Sequence, residues 1–293
     1  MKNLHKKAFS LIEISVVIVI IGILIAGISQ GIDLYQDMRL ATARSLTQNS
    51  RVNRIEDLTM WFESTSEQSF EKPNPSDGER IALWKNINFK LFNRIDVAQS
   101  TQVSKPFYVR NGINNIPALR FDNAQHLIAS NVKISEIVSS DQATVFMVQN
   151  NFSGDNTTTT FGWNNGNYRF QSHAQEANIV LLDFGTISSG FRTKTDILTN
   201  FLNQNKIITF VKNGSNGQVK INSALLTNSS TSTATIDMSL SADFSIGKYI
   251  PAGNGYNFYG YIGELIIFKR ALTDIEINDI EKYLSKKWSI KIN

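Results

Sequence analysis

The chain has no cysteine among its 293 residues, and only three histidines and five prolines. Without thiols there is no disulfide framework, no thiolate nucleophile and no cysteine-ligated metal. Any folded part must rest on its apolar core, and 293 residues are enough for one sizeable domain. The histidines, His5, His126 and His173, are too few and too scattered for a zinc cluster. Charge is sparse as well, at 18% of residues and a formal net of +4. Lys2, Lys6 and Lys7 fall within the first eight residues, and without that leader the net is +1, so the basic balance is no sign of nucleic-acid binding. No strand-like segment carries a Glu-x-Asp-x-Glu string, the arrangement by which a glycan hydrolase on a β-fold would place its two acids. Finally, neither Pro nor Gly occurs between Gly31 and Pro73, so nothing there interrupts a helix.

The first feature present is an apolar run from Phe9 to Ile28, about the length that crosses a bilayer as a helix. One acid, Glu13, lies inside it. A carboxylate in a membrane segment is costly, which makes Glu13 a functional residue by default. A secretory signal would have a shorter apolar core and a cleavage site after it, whereas the one plausible cut here lies before it, at Ala8. Helix-friendly sequence continues through Leu34, Tyr35, Met38, Ala41 and Thr42, which predicts a single rod to about residue 54, roughly 70 Å long. The lysines before the span and Asp33 and Asp37 after it predict a cytoplasmic N-terminus, with the remainder periplasmic or extracellular.

Lys6-Lys7-Ala8-Phe9-Ser10-Leu11-Ile12-Glu13 closely resembles the N-terminal signal of type IV pilins and type II secretion pseudopilins, in which a short basic leader and a small residue precede Phe-Thr-Leu-Ile-Glu. The family usually has Gly where this chain has Ala8. The resemblance implies cleavage between Ala8 and Phe9 by a prepilin peptidase, N-methylation of Phe9, anchoring in the bacterial inner membrane and assembly with other pilin or pseudopilin subunits. It also gives Glu13 a partner, the Phe9 ammonium that cleavage creates. An unpaired carboxylate in a dry helical core costs several kcal/mol, so processing and assembly become linked.

Beyond Glu56 the texture changes to short β-type runs such as Thr144–Val148, Ile207–Val211 and Tyr261–Phe268, separated by turns such as Asn164-Asn165-Gly166-Asn167 and Asn213-Gly214. Many short strands with polar turns predict an antiparallel sandwich. Thr273 and Glu276 form a helix-start signature ahead of the apolar stripe Ile277, Ile280, Tyr283 and Leu284, which predicts a closing amphipathic helix. The acids between Asp274 and Glu281 read as its solvated face. The fold class is thus α+β: a long transmembrane helix, a β-sandwich and a C-terminal helix. The expected divisions are a leader at 1–8, an assembly helix at 9–55 and a head at 56–293.

The head resembles bacterial laminin-G-like, concanavalin-type jelly rolls. The resemblance rests on Leu58-Thr59-Met60-Trp61-Phe62, Trp84-Lys85-Asn86, Lys105-Pro106-Phe107-Tyr108, Arg120-Phe121-Asp122, Gly260–Leu265 and Tyr283–Trp288. The family's Gly-x-Asp-Asp is replaced by Asn123-Ala124-Gln125-His126, which speaks against a family-type metal site. Asp237 and Asp243 match no calcium-loop spacing, and no cofactor is expected. Trp163, Tyr168, Tyr256, Phe258 and Tyr259 lie near Asn- and Gly-rich turns; of these, Trp163, Tyr168, Tyr256 and Tyr259 are the candidate ligand residues, since aromatic faces beside amides suit sugars. The expectation is a non-enzymatic filament subunit of a type IV pilus or a secretion pseudopilus, its head available for adhesion to a surface glycan or protein. A bulky head suits a minor or tip subunit. The competing expectation is a carbohydrate-active enzyme or lectin tethered by a pilin-type anchor.

Overall fold

The computed structural model describes residues 10–153, 158–173, 179–188, 190–196, 198–199, 201–229, 234–249 and 257–293. The N-terminal helix, Leu11–Asn49, begins with Ser10 and Glu13 capping each other: the Ser10 N–H donates to Glu13 Oε2 at 2.7 Å and the Glu13 N–H to Ser10 Oγ at 3.3 Å. Thirty-nine residues give a rod of about 58 Å. The α-helix stops at Asn49, earlier than the run of helix formers suggests. There the Ser50 N–H turns back to the Thr47 carbonyl, and a short 3-10 turn, Val52–Arg54, carries the chain into the head. Its large apolar residues from Leu11 to Met38 are 48–85% exposed. Only the last turns are covered, at Ala43 and Thr47.

Two antiparallel sheets form the head. The first has eight strands, running in order Ala224–Leu225, Asn216–Ile221, Lys206–Asn213, Gln142–Asn151, Tyr259–Phe268, Ile116–Asp122 and Phe107–Ile113. The eighth, Leu58–Glu63, pairs with the second half of Tyr259–Phe268, whose first half pairs with Ile116–Asp122. The second sheet runs Thr227–Ser229, Phe191–Thr195, Leu181–Thr186, Tyr168–His173, Thr159–Asn164, Ser241–Ile246, Leu127–Lys133, Val97–Ala98 and Leu83–Trp84. Between them lies the main core, with Met60, Phe62, Trp84, Met147, Phe170, Phe184 and Leu265.

A second core covers the outer face of the first sheet. Trp61, Phe146, Val148 and Ile266 point out of the sandwich and meet Ile277, Ile280, Leu284 and Trp288 of the closing helix, Asp274–Trp288, and Ala43 of the N-terminal helix. Leu58–Glu63 is therefore buried on both faces, which explains a strand with no polar alternation. The closing helix starts where the sequence places it, with Thr273 and Glu276 forming a reciprocal cap. Its acidic run is not wholly solvated. Glu281 is buried and accepts a 2.7 Å hydrogen bond from Thr209 Oγ1, because that turn faces the strand Lys206–Asn213.

Candidate functional sites on the stalk and the head

Where the N-terminal helix meets the head, a charged cluster sits out of contact with water. Glu63 and Glu264 face each other across paired strands. Lys287 Nζ lies 2.7 Å from Glu63 Oε2 and 2.9 Å from Glu264 Oε2. Glu264 also accepts from Trp61 Nε1 at 2.7 Å, Trp288 Nε1 at 2.8 Å and the Tyr283 hydroxyl at 2.8 Å. Glu63 accepts from the Thr65 N–H and hydroxyl and from the Ser66 N–H. Every buried oxygen thus has donors, which is the condition for tolerating such charges.

Burial alone would push the Glu63 carboxyl up. The Lys287 ammonium beside it and the hydrogen bonds from Lys287 and Thr65 outweigh that and hold it below the ordinary range. Burial, reinforced by both glutamates, drives the Tyr283 phenol well above 10, so it remains a donor. Two facing glutamates are the raw material of a glycosidase. Here they are sealed under two tryptophans and tied to a lysine, which makes them structural.

The stalk is bolted onto this cluster. Thr47 Oγ1 lies 3.2 Å from the Tyr283 hydroxyl. Arg44 donates to the Thr65 carbonyl at 2.8 Å and to Glu67 and Asn74. Arg39 donates to the Asn114 carbonyl at 2.9 Å, and Arg51 meets Asp279 at 2.8 Å. None of these side chains stood out in the sequence as a site. The pairs are separated by up to 236 positions and meet only once the head has folded.

The candidates named from sequence are not brought together. Ala8, Phe9 and Tyr256 lie outside the described residues. Glu13 sits in the first turn of the exposed helix, held by Ser10. The Ser-x-x-Glu spacing that announces this cap was as readable as the one at Thr273. Trp163 is fully buried between the sheets, its indole N–H donating to the Val132 carbonyl at 2.8 Å, so it presents no face to a ligand. Tyr168 packs against the same core, and Phe258 is buried edge-on to Phe121. The strand period decides this: Phe161 and Trp163 share a face, with Gly162 on the other. Tyr259 differs, being 39% exposed and edge-on to Phe152 at 5.3 Å. Asp237 accepts from the Ser239 N–H and Asp243 from the Asn131 N–H.

Residues 3–29 match the prokaryotic N-terminal methylation motif. A prepilin-type N-terminus is therefore joined to a jelly-roll head. The helix that begins within this motif, at Leu11, is the one described segment long and apolar enough to cross a membrane. No curated protein matches the chain. Among solved structures, the head is similar in fold to domain 4 of AbnA, a GH43 extracellular arabinanase of Geobacillus stearothermophilus solved with arabinotriose. That match has a TM-score of 0.52 at 20% identity and covers 77% of this chain and 98% of that one. The binding domain of Paraclostridial Mosquitocidal Protein 1 matches with a TM-score of 0.53 at 13% identity, over 79% of this chain and 52% of that chain. Trypanosoma rangeli sialidase matches at 0.51 and 12% identity, over 79% of this prepilin-type chain but 33% of its own length. At these identities the likeness is one of fold.

Proposed function

We propose that this chain is a pilin-like structural subunit of a type IV pilus or a type II secretion pseudopilus, carrying its jelly-roll head as a recognition module. The observation that carries this reading is the methylation motif at residues 3–29 lying over the start of a helix whose apolar surface is bare as far as Met38. In this reading residues 1–8 are a leader, 9–55 the assembly helix and 56–293 the head. A prepilin peptidase cuts between Ala8 and Phe9, and Phe9 is N-methylated. The leader lies in the cytoplasm and the head across the inner membrane. Once inside a filament, the Phe9 ammonium and Glu13 of neighbouring subunits neutralise each other. The size of the head suits a minor or tip subunit, and a surface glycan or protein is its partner.

The test separates the two roles of Glu13, charge partner and helix cap. Glu13→Ala keeps membrane insertion and cleavage before Phe9, read by N-terminal sequencing, but loses assembly. The missing partner costs about 3–5 kcal/mol per buried pair. Ser10→Ala removes the cap alone, about 1 kcal/mol, and still assembles. Glu13→Ala filaments at wild-type yield would overturn the reading. The alternative, a tethered carbohydrate-active enzyme, would require hydrolysis of a glycan panel by the purified chain. The sealed state of Glu63 and Glu264 weighs against it.

A further inference from the structure

Leu83–Trp84 and Val97–Ala98 pair as short strands, and the base of the loop between them is fixed by two buried asparagines. Asn86 Oδ1 accepts from the Trp61 N–H at 3.0 Å, and Asn86 Nδ2 donates to the Thr59 carbonyl at 2.9 Å. The Ile87 N–H donates to the Trp61 carbonyl at 2.8 Å, and Asn88 Nδ2 to the Leu58 carbonyl at 2.7 Å. These groups stand where a further strand would pair with the free edge of Leu58–Glu63. On this fixed base the tip of the loop, 89–94, carries two phenylalanines into water. Phe89 is 54% exposed and Phe92 wholly exposed. Lys90 and Arg94 are exposed beside them, with the Arg94 guanidinium 4.7 Å from the centre of the Phe89 ring. Aromatic rings held in water on a rigid support mark an interaction surface.

The height of this loop on the stalk is set by a cavity of about 390 Å³ that Phe89 lines together with Arg44, Thr47 and Gln48. The apolar run ends at Ile28, about 24–30 Å lower along the helix, so the loop stands clear of the bilayer. Between the two levels the stalk has an uncovered patch of the opposite charge. Leu34 and Met38, 63% and 62% exposed, lie four residues apart on one face of the helix. The head takes the other face, through Arg39, Ala43 and Thr47. Asp33 and Asp37 accompany the patch, with no basic residue from Ile32 to Met38, whereas no acid lies between Asn88 and Ile95 in the loop. Asp37 meets Arg110 of its own head at 2.9 Å, and Asp33 has no partner among the described residues. The patch sits about 15 Å below the loop, so a chain cannot bring its own two surfaces together. A second copy standing about 15 Å higher makes them level.

We propose that the loop 89–94 docks on the Leu34–Met38 face of a second copy of this chain, displaced by about 15 Å along the stalk axis. Phe92 packs between Leu34 and Met38, and Lys90 and Arg94 face the carboxylates of Asp33 and Asp37. The contact covers apolar surface that neither the head nor a bilayer covers. A copy without the displacement would offer the loop Ser45, Gln48 and Asn49, all neutral and polar. Opposite charges on the two surfaces therefore fix the stagger as well as the partner. The assignment rests on the reading of the chain as a filament subunit, and adds that at least two copies stand side by side.

Because the chain has no cysteine, introduced thiols report on this contact alone. Full chains carrying Phe92→Cys are co-expressed with chains carrying Leu34→Cys, or with chains carrying Ser45→Cys. Sheared filaments are then oxidised mildly and separated without reductant. All three positions are exposed, and tryptophan fluorescence checks that each variant is folded. On the expected result Phe92→Cys with Leu34→Cys gives a dimer that reductant dissolves. Phe92→Cys with Ser45→Cys, and each variant alone, gives none. Adding Lys90→Glu and Arg94→Glu to the Phe92→Cys chain lowers the dimer yield by about tenfold or more. Filaments that form without the Phe92–Leu34 dimer overturn the docking and leave the filament subunit standing. A dimer through Ser45→Cys overturns the stagger, and Phe92→Cys trapped on a different protein overturns the choice of partner. A dimer yield untouched by the charge reversal overturns the recognition. A wild type that enters no filament overturns both readings.

Discussion

Replacing Lys287 by Met removes the cation of the buried cluster while nearly preserving its volume. In the wild-type chain its ammonium is inaccessible to water and within 2.9 Å of two carboxylates that stand opposite each other on adjacent strands. The variant leaves both acids buried without a counter-charge, a change worth about 3–5 kcal/mol. Against the roughly 5–15 kcal/mol by which such domains are stable, that is a large share. At about 2–4 °C per kcal/mol for a domain of this size, the melting temperature should fall by about 6–20 °C. Urea titration of the chain in detergent reads it directly through tryptophan emission, because Trp61 and Trp288 both donate to Glu264. The pH dependence supplies a second check. Glu63 has its pKa depressed by Lys287, so in the wild type it contributes stability above its ordinary value of 4.5 that is lost as pH falls. In the variant Glu63 loses the cation that holds it down, burial pushes its carboxyl up, and it takes up a proton on folding, so acid favours the fold and the two curves converge. Adding Glu63→Gln to the variant should recover part of the loss. A variant within about 1 kcal/mol of wild type at neutral pH, with a parallel pH curve, would refute the account of the cluster.

Gly263→Ala should destabilise the head by about 1–3 kcal/mol and shift tryptophan emission, because the new methyl meets the Trp288 ring at 2.5 Å; an unchanged spectrum and midpoint would show that the helix yields freely. Glu276, held down to about 2 mainly by its hydrogen bond from Arg270, contributes stability present above about 4.5 and lost as pH drops toward 2. The difference in thermal midpoint between wild type and Glu276→Gln should therefore shrink through that window. Its size is modest because the pair lies at the surface, about a quarter exposed, and a difference flat from pH 7 to 2 counts against it.

Much of the fold was legible in the sequence because its signals are local. The uninterrupted run from Ile32, the caps at Thr273 and Glu276 and the β-type runs between polar turns each depend on neighbours within a few positions. The site was far less legible. Trp163 lies near an Asn-Gly turn, yet strand alternation sends it inward with Phe161, and proximity to a turn does not say which face a residue occupies. Glu63, Glu264 and Lys287 look like surface charges because their partnership exists only once a strand from the start of the head is laid beside one from its end.

The docking of the N-terminal helix sets where mechanical load enters the head. A pull along that helix first meets Arg39, Arg44 and Thr47, and Arg51 just past its end, which hand it to the closing helix and to the loop after Leu58–Glu63. From there the force passes into Leu58–Glu63, the first strand after the stalk, which is paired antiparallel with Tyr259–Phe268. Under tension these few side-chain contacts would yield before the sandwich opened, leaving a longer tether to a head that is still folded.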